Sequence, residues 1–86
     1  MRKNLLLIVI LIYGSFLFSQ DPEALFNQAN DRMKLGELEQ ADSLLKESLK
    51  IDPSFAPAYI GFSELWLRKG DLVKANESAT KAVQMD

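Results

Sequence analysis

The chain repeats itself. Shifted by 34 residues without a gap, residues 22–52 fall on 56–86. The shift matches Ala24 with Ala58, Gly36 with Gly70, Leu38 with Leu72, Ala41 with Ala75 and Asp52 with Asp86. Near matches stand between them: Met33 and Leu67, Lys34 and Arg68, Glu37 and Asp71, Ile51 and Met85. A fixed period constrains the fold more than composition does. Each copy must form the same supersecondary unit, and the units must stack. The identical positions include glycines and alanines, the residue types that turns and close packing require.

Each copy reads as two helices. In the first, Asp21 suits an N-cap and Pro22 the first helical position. Leu25, Ala29 and Met33 follow at four-residue spacing with Phe26 beside them, which is a helical stripe. Gly36 breaks the stripe, since glycine adopts the left-handed conformation at a helix end. A second stripe carries Leu38, Ala41, Leu45, Ser48 and Leu49, and Asp52-Pro53 ends it. The second copy repeats the plan. Pro57 sits in a first turn, Tyr59, Phe62 and Trp66 form the stripe, and Gly70 breaks it. Asp71 is placed to cap a last helix whose face carries Leu72, Ala75, Ala79, Ala82 and Val83. No segment alternates with the period of a strand.

This pattern resembles the tetratricopeptide repeat, W-x2-L-G-x2-Y then A-x3-F then P over about 34 residues. The Trp slot holds Leu25 and Tyr59, the Leu-Gly slots Gln28-Ala29 and Phe62-Ser63, and the Tyr slot Arg32 and Trp66. The Ala slot is filled by Ala41 and Ala75, the Phe slot by Leu45 and Ala79, and a further small slot by Ser48 and Ala82. The proline slot holds Pro53 in the first copy only. The resemblance implies an all-α fold: two antiparallel helix-turn-helix repeats, 22–53 and 56–86, beginning a right-handed α-solenoid. Small residues at the crossings fit helices packed about 8–10 Å apart. Gln28 and Arg32 make the first helix more polar than the pattern asks, as a capping helix would be.

A solenoid repeat cannot bury its apolar face alone, and about three are usually needed. The last helix should leave Leu72, Ala79 and Val83 without a partner. The second copy also stops short of its proline. The expectation is the N-terminal part of a longer repeat protein. The competing readings are the N-terminal sensory or scaffolding part of a larger exported or membrane-bound enzyme or sensor, and a small protein that covers the open face by self-association.

Ahead of the repeats stands MRKNLLLIVILIYGSFLFSQ. Arg2 and Lys3 give a positive start, Leu5 to Phe18 is uncharged and mostly apolar, and Ser19 is a small residue at a cleavage position. That is the layout of a secretory signal peptide over residues 1–20. The apolar run is shorter than the roughly 20 residues that span a bilayer. Export to a periplasm or cell envelope is expected. The alternative is an inner-membrane anchor formed by 5–18. All twelve acidic residues but only eight of the ten basic ones lie beyond residue 20, a net charge of −4 that favours neither nucleic acid nor an anionic membrane. With no cysteine, export brings no disulfide framework to a fold of marginal size.

Chemistry-bearing motifs are sparse. The chain has no histidine and no cysteine, which excludes most nucleophile–base pairs and soft metal sites. No catalytic, metal or cofactor-binding residue is expected. Gly61-Phe62-Ser63-Glu64-Leu65 lacks the second glycine of a nucleophile elbow, and Ser63 reads as a packing residue. Glu37, Glu39 and Asp42 read as a solvated face at a helix start. Gly36 and Gly70 are isolated and make no phosphate loop. Asn76-Glu77-Ser78 matches a glycosylation sequon in mid-helix. Trp66 fills the family's large core slot.

What remains is surface. In the resembling family the first helices of successive repeats line a concave groove that holds an extended peptide or a partner's helix. Its slots here hold Phe26, Asn27, Asn30, Met33 and Lys34, then Ile60, Gly61, Glu64, Leu67 and Arg68. The mixture suits a protein or peptide partner. Some members of the family hold a peptide's terminal carboxylate with Lys, Arg and Asn residues; here Phe26 and Gly61 stand at two of those positions and Asn30 alone survives, so no such clamp is expected.

Overall fold

The computed structural model describes residues 21–85. The expected signal segment 1–20, and Asp86, lie outside that range. Four helices follow one another: α1 Pro22–Lys34, α2 Leu38–Ile51, α3 Ala56–Arg68 and α4 Leu72–Met85. There is no strand among the described residues.

The helix limits follow from single residues. The Asp21 carboxylate accepts a hydrogen bond from the Ala24 backbone N–H at 2.7 Å, and Pro22 opens α1. The Asp71 carboxylate caps α4 through the Lys74 N–H at 3.0 Å. Both hairpin turns have left-handed glycines, Gly36 at φ 78° and Gly70 at φ 84°. Around Gly36 the Glu37 N–H donates to Arg32 O at 2.9 Å, and the Gly36 N–H to Met33 O at 3.0 Å. Asp71 and Gly70 donate to Trp66 O and Leu67 O at 2.8 and 3.0 Å in the same way. These paired bonds are Schellman motifs, which satisfy carbonyls the helix ends would otherwise leave open. Helix α2 ends before Pro53. There the Asp52 carboxylate gathers the Ser54 N–H at 3.1 Å and hydroxyl at 2.9 Å into a turn.

Each hairpin packs two antiparallel helices, α1 on α2 and α3 on α4; α3 also packs on both helices of the first hairpin. The core is continuous across them: Ala29, Met33, Ala41, Leu45, Ala58 and Leu65 are fully covered. Alanines at the crossings let the backbones approach, and the larger side chains fill the flanks. Ser48 is the buried polar residue among those described, and its hydroxyl donates to Pro22 O at 2.9 Å, tying α2 to the start of α1. Between the repeats Phe26 and Phe55 meet edge to face, centroids 6.1 Å apart at 77°. Trp66, expected in the core, is half-buried. Its ring is covered by Lys74 Nζ at 4.4 Å and Lys69 Nζ at 5.2 Å.

Candidate functional site

Helix α1 touches α3, whereas α2 and α4 make no contact. The stack is therefore tighter on the side of the first helices, and that side is the inner one. Residues expected to line it divide into three groups.

Phe26, Met33 and Gly61 belong to the packing. Met33 is only 1% exposed and joins the core, so its side chain is not offered to a partner, contrary to expectation. Helix α3 covers it: Arg68 Nη1 donates to Met33 O at 3.2 Å. Phe26 is half-buried against Phe55. Gly61 is buried at the closest approach of the repeats. A Cβ there would stand 2.7 Å from Leu45 Cδ2 and 3.4 Å from Phe26 Cε1.

Asn27 stands alone in the second group. It is exposed, and the 34-residue shift places it in the register of Gly61. It therefore lies on the free edge of α1, where a preceding repeat would pack.

Asn30, Lys34, Ile60, Glu64, Leu67 and Arg68 are the accessible members. Asn30 is half-buried and Lys34 exposed on α1. On α3, Ile60 and Leu67 are apolar yet 58% and 54% exposed. Spacings of four, seven and eight residues put Ile60, Glu64, Leu67 and Arg68 on one stripe. Arg68 is held from two directions, by Met33 O and by Glu64 Oε1 at 3.2 Å. A guanidinium carries five N–H donors, so Arg68 keeps others for an acidic or carbonyl group while its orientation is fixed. Lys69 Nζ forms a second tie between the repeats, to Glu39 Oε1 at 2.8 Å. That hydrogen bond, with the negative charges of Glu39 and Asp42, raises the lysine above its ordinary value against a smaller desolvation.

Among the described residues no group of three or more His, Cys, Asp or Glu is placed to hold a metal ion. None of the described helices is long and apolar enough to cross a membrane. Sequence periodicity missed the two ties, Arg68 to Met33 O and Lys69 to Glu39. The signal for them was present as a basic pair at the end of α3.

Comparison with known proteins agrees with this architecture. Residues 22–55 match the family model described as Tetratricopeptide repeat. Protein O-mannosyl-transferase TMTC3 of Homo sapiens is 39% identical over 49 residues, 57% of this chain and 5% of that protein. The protein of the same name from Mus musculus matches with the same figures. The chain thus spans about a twentieth of the length of these relatives.

Proposed function

The chain is a tetratricopeptide-repeat protein, and on that premise we propose that it is an exported module that holds a protein or peptide partner on its α1–α3 face and carries out no catalysis. Repeats of this kind are protein–protein interaction modules. The observation that carries the reading here is Arg68, which reaches from α3 to Met33 O on α1 and to Glu64 Oε1, so that its guanidinium is already oriented beside the exposed Lys34 and Glu64. Ordering that side chain in advance removes part of the entropic cost of engaging a partner's carboxylate or backbone carbonyl. The absence of histidine and cysteine from the sequence supports binding without chemistry.

Photo-crosslinking tests the face directly. A photoreactive side chain at Lys34 or Glu64 should capture a discrete partner in cells, and one at Lys46 on the outer side of α2 should not. Equal capture from all three positions would defeat the reading. Export rests on the charged start and apolar run ahead of the repeats. Protein recovered from the cell envelope should have lost about 20 residues by intact mass, in line with the signal layout. A retained N-terminus in the membrane fraction would favour the anchor formed by 5–18 instead.

A second reading makes the two hairpins the leading, non-catalytic part of a larger exported or membrane-bound protein. The small share of the matched relatives that the chain spans favours it, as do the bare apolar side chains Leu72 and Val83 on α4. An intact mass of the cellular protein well above that of this chain would support it, and a match to this chain would end it.

A further inference from the structure

Between α3 and α4 lies a cleft of about 250 Å³. Tyr59, Phe62 and Trp66 line it from α3, and Lys74, Glu77, Ser78 and Lys81 from α4. The helices run antiparallel, so Lys81 stands at Tyr59 and Lys74 at Trp66, their ammonium groups 5.8 and 4.4 Å from the ring centroids. Phe62 has no ammonium over its ring among the described residues, and the small Ser78 stands between the two lysines on α4. The cleft is therefore open in its middle and basic at both ends. Neither Lys74 nor Lys81 forms an ion pair among the described residues, and Glu77 beside them is exposed and pairs with neither. An ammonium that rests on a ring face keeps N–H donors free for an anion.

The first hairpin has the corresponding cleft, about 430 Å³, and builds it differently. The 34-residue shift sets Gln28 against Phe62, Arg32 against Trp66, Gln40 against Lys74 and Glu47 against Lys81. Aromatic floor and paired lysines belong to the second hairpin alone, so stacking does not require them. Nor do neighbouring repeats fill such a cleft. The first stays open although α3 packs on its hairpin, and the second stays open with the first hairpin in place. A further repeat laid on α3 and α4 as α3 lies on α1 and α2 would leave it open again. The cleft also uses a different stripe of α3 from that of Glu64 and Arg68 on the inner face.

We propose that this cleft binds an acidic segment of a partner protein, with an aromatic side chain over Phe62 and carboxylates at Lys74 and Lys81. It is a second contact site, beyond the inner face. The two lysines are seven residues apart on α4, about 10 Å along the helix axis, so the carboxylates flank the aromatic residue instead of sharing one lysine. An aromatic occupant meets the rings of the floor edge to face or offset, and each carboxylate gains a charge-assisted hydrogen bond. Single-stranded nucleic acid also uses cations and rings. The net negative charge beyond residue 20 opposes a long phosphate chain, whereas a short acidic segment meets mainly the local lysines.

Trp66 is the chain's single tryptophan and reports on the cleft by its own emission. The full chain is titrated with a blocked pentapeptide that has phenylalanine at its centre and glutamate at every other position. The emission should change and saturate, and amide shifts should centre on Phe62 and Ser78. Lys74→Gln with Lys81→Gln should weaken binding about tenfold, the effect of losing two ion pairs near the surface. Lys46→Gln with Lys50→Gln removes the same charge from α2 and should leave the affinity unchanged. A peptide with glutamine for glutamate, or with glycine for phenylalanine, should bind more weakly. Crosslinking from Glu64 tests the inner face separately, so the two readings fail independently. Equal affinity for the glutamine peptide would overturn the proposal, as would an affinity that survives the loss of Lys74 and Lys81. Shifts centred on Asn30 and Arg68 would overturn it by placing the peptide on the inner face. Tighter binding of a short oligothymidylate in the same cleft would overturn it by giving the site to nucleic acid.

Discussion

Gly61 shows how one atom sets the distance between the repeats. It lies inside α3, where alanine would favour the helix by about 1 kcal/mol. The added Cβ would meet Leu45 Cδ2 at 2.7 Å, and Leu45 is fully buried, so its terminal methyls would have to shift within packed surroundings. Overpacking of this kind costs about 1–3 kcal/mol, so the clash outweighs the helical gain. Gly61→Ala should lower the melting temperature by several degrees, on the scale of about 4–8 °C per kcal/mol for a domain this small. In a Leu45→Ala background the same substitution should raise it, because the obstruction is gone. Sequence reading placed Gly61 on the inner face, since the family's register assigns it there. It could not see the packing partner, which comes from the preceding repeat. Met33 and Leu67 make the same point. They occupy equivalent positions, yet Met33 is 1% and Leu67 54% exposed. The side chain at that slot is buried by the next repeat, and only the first repeat has one among the described residues.

At the scale of helices and turns much more was legible, because the signals are local. Asp21, Pro22, Gly36, Asp52-Pro53 and Gly70 each act on their own backbone or that of the next turn, and the helices begin and end beside them. One pair of matched positions behaves differently. Asp71 caps α4, but Glu37, one methylene longer, makes no cap bond to α2 and reaches back to Arg32 at 2.9 Å. The Arg32–Glu37 pair is exposed and worth little, about 0–1 kcal/mol, while a well-formed cap contributes about 1 kcal/mol. Glu37→Asp should therefore stabilise the fold slightly, seen as a higher urea midpoint with unchanged slope. The Lys69–Glu39 bond joins the end of α3 to the first turn of α2. Its pH dependence has a defined sign. Lys69 is raised above 10.5 in the fold, mainly by its hydrogen bond to Glu39. The stabilisation is thus complete below the unfolded value and is lost as pH climbs through the raised one. Denaturant titrations of wild type and Lys69→Met should differ by a constant amount from about pH 7 to 9 and converge above 10.5.

Across the whole molecule, the stability of a stack is a sum of repeats and the contacts between neighbours, and these terms are unequal here. Leu25, Met33 and Leu45 are among the largest fully buried side chains, and all belong to the first hairpin. Leu65 of α3 is also fully buried and points into the same cluster. Helix α4 buries only Ala75 and Ala82, while Leu72, Val73 and Val83 are each more than two-thirds exposed. Burying a leucine contributes about 1.5–3 kcal/mol, and an alanine methyl a fraction of that. Helix α4 also has α3 as its one helical neighbour, whereas α3 is held by α1, α2 and α4. Opening of α4 should therefore require less free energy than opening the other three helices together. Native-state hydrogen exchange should show it: amides of α4 should exchange through a sub-global opening, and those of α1 to α3 only on wider unfolding. Ala79→Leu, at a half-buried position on the face of α4 that carries Ala75 and Ala82, should leave the α1 protection unchanged. Uniform protection across all four helices would mean that the repeats fold as one cooperative block, with α4 held by more than its two alanines.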